Sequence, residues 1–298
     1  MKQTLSRLAY FIFAAFGLIA TCMPVSALIL YGLDNNSNTS DPGTGAPWDH
    51  VAKISDSTGG SIEGSGVYLG NGYMLTANHV SLRSHITFDD NTFYEIDNTF
   101  TAQQVAPDVD MKVFKLLDNP GLQGVNLNNS SNEVGNQAMI VGWGVGGSGT
   151  GSTISWGNGT EAKRWGTNTV LSSDSDAFGF DSLVTVLGDD EGNNEAAVTS
   201  RDSGGALFQE IDSIWYLSGI ATNVEFQAGE NTSTFGADTT SDFNPLNPRG
   251  DKNYFVRIST YESDILMAIP EPASFAITLG VCTILFLIVR RRRRCRTS

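Results

Sequence analysis

Three polar residues stand where acyl-transfer chemistry would need them. His79 closes Tyr73-Met74-Leu75-Thr76-Ala77-Asn78-His79, just past an apolar run. Asp110 sits directly before the strand-like run Met111–Leu116, and Ser203 lies in Arg201-Asp202-Ser203-Gly204-Gly205-Ala206. Nucleophilic hydrolysis needs a hydroxyl, a base to take its proton, an acid to hold the base's tautomer, and donors facing the oxyanion. A Ser, a His and an Asp at the ends of strand-like runs meet that need if the fold brings those ends together. Asp108 competes with Asp110, but only Asp110 keeps the one-residue distance to Met111. The chain holds three histidines, and the other two, His50 and His85, read as surface residues.

The elements that must position these residues read as short strands. Apolar runs such as Val51–Ile54, Gly66–Leu69, Tyr73–Thr76, Ala138–Gly142, Leu183–Val186 and Trp215–Ala221 alternate with Gly, Asn and Asp. That spacing predicts an all-β antiparallel barrel or sandwich. Only Thr260–Ala268 reads as a helix. The Gly-rich run Gly144–Gly159 and the stretch 228–252 read as surface loops.

The three blocks, in the order His, Asp, Ser, resemble the trypsin-like (chymotrypsin-fold) serine peptidases. Pro47-Trp48, Val141-Gly142-Trp143-Gly144, Leu217-Ser218-Gly219-Ile220 and Tyr254–Leu266 are similar to further blocks of that family. The resemblance implies two packed six-stranded antiparallel β-barrels over residues 47–268, with Ser203 as nucleophile, His79 as general base and Asp110 orienting it. It implies an oxyanion hole from the backbone N–H groups of Arg201 and Ser203. The family has Gly where this chain has Arg201, and Gly adopts backbone angles that Arg resists, so a weakened oxyanion hole is expected. The implied specificity pocket has Ala197 at its floor and Thr222, Asn223 and Val224 on its wall, which predicts a small or medium apolar side chain before the scissile bond. The implied partner is a protein or peptide substrate, and the chemistry requires no metal and no organic cofactor. The alternative is a catalytically weak or inactive trypsin-like domain acting as a surface or matrix binding module.

The chain ends read as addresses. Lys2 and Arg7 precede an apolar run and Val25-Ser26-Ala27, the pattern of a signal peptide over 1–27 cleaved after Ala27. Residues 28–46 read as a polar lead-in. Residues 273–289 are 17 uncharged residues followed by five arginines; at about 1.5 Å per residue this is a short transmembrane helix. With Pro270-Glu271-Pro272 before it, the tail 269–298 resembles the PEP-CTERM sorting signal. That resemblance implies an exosortase partner, transient anchoring in the inner membrane, and delivery to the cell surface or matrix of a Gram-negative bacterium. The positive-inside rule places the arginines in the cytoplasm and the acidic middle of the chain outside.

Of 298 residues, 40% are hydrophobic and 17% charged, which excludes a disordered chain. The net charge of −14 argues against nucleic acid as a partner. It averages unlike pieces, for residues 28–268 alone carry −21. All three cysteines, Cys22, Cys282 and Cys295, lie in the end segments, so no disulfide staples the domain between them. Gly142-x-Gly144-x-x-Gly147 matches a dinucleotide fingerprint but lacks the helix that would receive the phosphate. Asp189-Asp190-Glu191 with Glu195 has the oxygen-rich composition that calcium prefers, yet reads as a solvated acidic loop.

Overall fold

Strands form here because apolar residues alternate between two buried environments. In Val51–Ser55, Val51 faces one apolar cluster while Ala52 and Ile54 face another. Met74 and Leu75 divide in the same way. So do Ile140 and Val141, and Phe255 and Val256, between the second barrel's interior and the shared cluster. Successive side chains leave a strand on opposite faces, so each of these strands lines a barrel with one face and the seam between barrels with the other. A one-residue slip would exchange the two sets, and register is correspondingly well specified.

The computed structural model describes residues 28–31, 37–57, 60–89, 92–150, 153–175, 178–187, 192–224, 232–234 and 252–270. After a two-residue strand β1 (Ile29–Leu30) and a 3-10 turn at Trp48–His50, seven strands build the first sheet. They are β2 (Val51–Ser55), β3 (Ile62–Gly70), β4 (Tyr73–Thr76), β5 (His85–Thr87), β6 (Phe93–Glu95), β7 (Gln103–Gln104) and β8 (Lys112–Lys115). Their order is β6-β5-β2-β3-β4-β8-β7. The Ile96↔Leu116 bridge, flanked by Asp97 N–H to Lys115 O at 2.8 Å, joins the end of β6 to β8 and turns the sheet back on itself.

The second sheet holds β9 (Asn126–Leu127), β10 (Gln137–Thr150), β11 (Thr153–Thr169), β12 (Ser172–Asp174), β13 (Ser182–Val186), β15 (Ala206–Ile211), β16 (Ile214–Val224), β17 (Thr232–Thr234) and β18 (Lys252–Arg257). Its order is β12-β13-β18-β16-β15-β10-β11-β17, with β9 beside β16. β11 runs on through Val170 and Leu171 into β12, which pairs β13, so this ladder also returns on itself. β14 (Ala196–Ala197) pairs β1. The helix α1 (Ile258–Ala268) follows β18 and buries Ile258, Ile265 and Ala268.

The structure differs from the sequence expectations at several elements. β17 falls within 228–252, expected as a loop. Among the described residues the two sheets hold seven and nine strands, with β9 and β16 parallel, where six antiparallel strands each were expected. Gly144–Gly159 is not a loop: β10 and β11 form one long antiparallel hairpin through Thr150↔Thr153, with a register shift between Val145 and Gly147. Gly, Ser and Thr carry no apolar period there, so the pairing left no pattern to read. Residues 28–46 are not all polar lead-in: Leu28, Ile29 and Leu30 are buried, and β1 joins the domain through Ala196–Ala197. The proposed signal peptide 1–27 and the span 273–289 lie outside the described residues, as does Asp189–Glu191. Among the described residues no helix is long and apolar enough to cross a membrane.

Phe255 is fully buried in the second barrel, whereas Leu266 is half exposed on α1. Phe255→Ala should lower unfolding free energy in denaturant by about 3–5 kcal/mol through lost burial and the cavity left behind. Leu266→Ala should stay within about 0.5 kcal/mol.

Candidate active site

Pairing register brings His79 and Asp110 together. β4 pairs β8 with Thr76 opposite Lys112. His79 lies three residues past Thr76 and Asp110 two before Lys112, so both leave the same end of one ladder. The His79 turn is fastened by Lys112, whose ammonium donates to Asn78 O at 2.8 Å and Val80 O at 2.6 Å. Asp110 accepts the His79 backbone N–H at 2.9 Å on Oδ1 and contacts Nδ1 at 2.7 Å through Oδ2.

Ser203 comes from the second sheet, in the turn before β15. Its carbonyl accepts the Ser65 N–H of β3 at 2.8 Å, and Gly204 N–H donates to Ala221 O at 2.8 Å. Gly204 has a φ of +86°, and a Cβ there would run into Ser65 O and Thr76 Oγ1. Only glycine satisfies both the angle and the space. This seat sets Ser203 Oγ 2.8 Å from His79 Nε2.

The proton arrangement follows from Asp110. Burial pushes its carboxyl up, but the hydrogen bonds and charge interaction of His79 outweigh that and hold it below the usual carboxylate range. An ionised carboxylate only accepts, so Nδ1 carries the proton and Nε2 offers a lone pair to Ser203 Oγ–H. That is the tautomer a general base requires. Asp108, the rival, is exposed and stands at a φ of +63°.

Arg201 stands at a φ of +72°, a left-handed conformation that costs a non-glycine residue about 1–2 kcal/mol. So the chain adopts a glycine-like backbone here without glycine. Among the described residues neither the Arg201 nor the Ser203 backbone N–H donates to a protein acceptor. Both remain for a ligand oxygen beside Ser203. The Arg201 guanidinium meets Glu161 at 3.1 Å, a partner forty residues away that the sequence reading missed. No pattern around Glu161 could have signalled it.

An open cleft of about 440 Å³ includes His79 and Ser203 and is walled by Val198, Thr199, Ala221, Thr222, Asn223 and Val224. Of the residues the sequence assigned to a pocket, Thr222, Asn223 and Val224 line this cleft. Ala197 does not: it pairs with Ile29 and packs with Leu187 behind the wall. Because β14 turns that residue toward β1, Val198 and Thr199 face the cleft instead. His50 is half buried rather than superficial, with Nε2 2.6 Å from Gln123 O, and burial lowers its pKa. His85 contacts Ser84 Oγ at 2.6 Å. Among the described residues no group of three His, Cys, Asp or Glu could hold a metal ion.

Behind the cleft lies Asp202, fully buried. Its Oδ2 accepts Thr199 N–H at 2.8 Å, Thr199 Oγ1–H at 3.0 Å and Leu28 N–H at 3.3 Å. Oδ1 has no partner and lies against Gly142 and Gly144. Desolvation dominates over these donors and pushes the pKa up to about 7.

No family model and no curated protein matches the chain. Among solved structures it is similar to neuropsin, a serine protease expressed in the limbic system of mouse brain, at 16% identity and a TM-score of 0.52, covering 78% of this chain and 98% of that one. This likeness shows the fold, a chymotrypsin-like pair of β-barrels. Looser likenesses are to the Rv3671c protease in its inactive form (16% identity, TM-score 0.46, 81% of this chain and 99% of that) and to the HtrA-type protease AlgW with a decapeptide (20% identity, TM-score 0.45, 70% of this chain). The chain spans 52% of the length of AlgW.

The raised pKa of Asp202 has a sign for stability. The folded state binds this proton more tightly than the unfolded chain, so the contribution is complete below about pH 4 and is lost as pH rises through about 7. In the chain with Leu28 as an internal residue, the stability difference between wild type and Asp202→Asn should therefore move against wild type from pH 4 to 7. Denaturant titrations across that range read it, and a flat difference would contradict the assignment.

Proposed function

We propose that this protein is a serine endopeptidase that hydrolyses peptide bonds through an acyl-enzyme. One observation carries the reading: the continuous contact from Asp110 through His79 to Ser203 Oγ, at 2.7 and 2.8 Å, beside two unengaged backbone donors. Ser203 Oγ attacks the carbonyl carbon while its proton passes to His79 Nε2, and Asp110 stabilises the imidazolium. The carbonyl oxygen, now negative, meets the N–H groups of Arg201 and Ser203. Collapse expels the amine, which takes the proton from His79, and leaves the acyl group on Ser203. Water, deprotonated by His79, then releases the acid.

The cleft wall supports an uncharged preference before the scissile bond. Val198, Ala221 and Val224 are apolar and Thr199, Thr222 and Asn223 are neutral, while the carboxylate on this cleft, Glu63, comes from β3 of the other barrel and pairs with Arg83 at 3.4 Å. A small or medium apolar side chain fits that chemistry.

Activation follows from Leu28. Cleavage after Ala27 would convert its amide N, 3.3 Å from Asp202 Oδ2, into a charged α-amino group. That group would set a positive charge directly against Asp202, adding to the charge interaction with Arg164, and draw its pKa back down. Export, PEP-CTERM sorting by an exosortase and residence at the surface of a Gram-negative bacterium extend the same reading and rest on the sequence of the two ends.

A fluorophosphonate probe should label wild type and leave Ser203→Ala unlabelled; a folded but unlabelled wild type would instead favour the binding-module alternative. Separately, one alanine added before Leu28 in the processed chain should cut the labelling rate at least tenfold. An unchanged rate would sink the activation route.

A further inference from the structure

We propose that Glu161 is a positioning residue for the oxyanion donor of Arg201, a role that rests on the hydrolase reading of the site. Two residues of the turn lie in the left-handed region, Gly204 beside Ser203 and Arg201, and Arg201 is the one that is not glycine. The turn is pinned on either side of it. Before it, Thr199 N–H and Oγ1–H reach Asp202, Thr199 Oγ1 also reaches Val145 O, and Val145 N–H donates to Ser200 O at 3.1 Å. After it, Asp202 N–H donates to Thr199 O at 3.1 Å and Gly205 N–H to Asp202 O at 2.7 Å. Arg201 itself makes no backbone hydrogen bond among the described residues, so its own hold on the turn is its side chain.

That side chain ends on Glu161 Oε1 at 3.1 Å. Glu161 is in turn tied to the first barrel from two strands: Lys53 Nζ of β2 at 3.5 Å from Oε2, and Ile62 N–H at the start of β3 at 3.2 Å from Oε1. The carboxylate therefore clamps a β11 residue, two strands of the opposite barrel and the oxyanion turn into one node. β3 is also the strand whose Ser65 N–H holds Ser203 O. A glycine at 201 would adopt the positive φ freely; an arginine has to be held there. The chain thus replaces a conformational permission with a charge-assisted tether. A tether that sets where an N–H points acts on the transition state, in which the oxyanion forms, more than on ground-state binding.

The test is a double-mutant cycle between Glu161 and Arg201, with p-nitrophenyl acetate hydrolysis by the processed protein as the reading. Glu161→Ala should lower kcat at least tenfold with KM within twofold, and Glu161→Gln, which keeps an acceptor oxygen, should lose less. Added to Arg201→Gly, the same Glu161→Ala change should cost less than twofold. A kcat within twofold of wild type in Glu161→Ala, or an undiminished loss on the Arg201→Gly background, overturns the proposal. Amide hydrogen exchange over 199–205 is a second reading independent of turnover. Glu161→Ala should speed exchange there, and the speeding should vanish on the Arg201→Gly background. If wild type fails to react with a fluorophosphonate, the hydrolase reading falls, and unchanged exchange in Glu161→Ala would then overturn the tether on its own account.

Discussion

The arrangement depends on how closely the Ser203 turn can approach the first barrel. Ser65 N–H and Ser203 O meet at 2.8 Å, and there is room only because glycines line both sides. A Cβ on Gly64 would press on Ser203 O and Val80, and one on Gly204 would collide with Ser65 O and Thr76 Oγ1. Gly142 and Gly144 allow the same intimacy behind the turn, against Asp202. Backbone held at van der Waals limits cannot drift, and that is what keeps a hydroxyl from one barrel within 2.8 Å of an imidazole from the other.

Electrostatics complement this packing in an acidic chain with few cations. Each basic side chain at a structural position serves a definite contact. Lys112 fastens the His79 turn. Lys163, buried over the Trp48 ring and 2.7 Å from Asp89, has its pKa drawn down to about 8 by desolvation. Arg257 meets the fully buried Glu133 at 2.7 Å, and Ser259 joins that carboxylate at the start of α1. Removing one partner of such a buried pair leaves an uncompensated charge, so these links hold β18 and α1 in place without any cysteine. Asp202 is the exception, a carboxyl buried with one oxygen unpartnered, and its charge state is the one most open to change by a group arriving at Leu28.

Much of the fold was legible because its strands are short apolar runs bounded by Gly, Asn and Asp. Tyr73–Thr76 and Leu183–Val186 announced their strands through apolar residues, and Ser182–Val186 is buried throughout. The helix was legible in Thr260–Ala268 and begins two residues earlier. The outer part of the β10–β11 hairpin was not legible, since Ile154 and Trp156 are set among Gly, Ser and Thr and pair with Gly149 and Gly147, which leaves no run of apolar residues to read. β1 was missed because two apolar residues after a proposed cleavage point have no period of their own; they are explained only by Ala196 and Ala197, more than 160 residues later. Ala197 was misassigned for the same reason, since its facing is decided by that pairing and not by its distance from Ser203.

Three sequence blocks in order, with the family they resemble, singled out His79, Asp110 and Ser203, and apolar runs and composition indicated the all-β class and the acidic balance of the domain, because each of these signals is carried by residues close together in the chain. Tertiary structure alone decided that Arg201 takes a glycine's φ, that Glu161 reaches it, and that Ala197 pairs with Ile29. The two contacts among them join residues 40 and 168 positions apart. Contacts at such separations are set by ladder register and barrel packing, which no local stretch of sequence encodes.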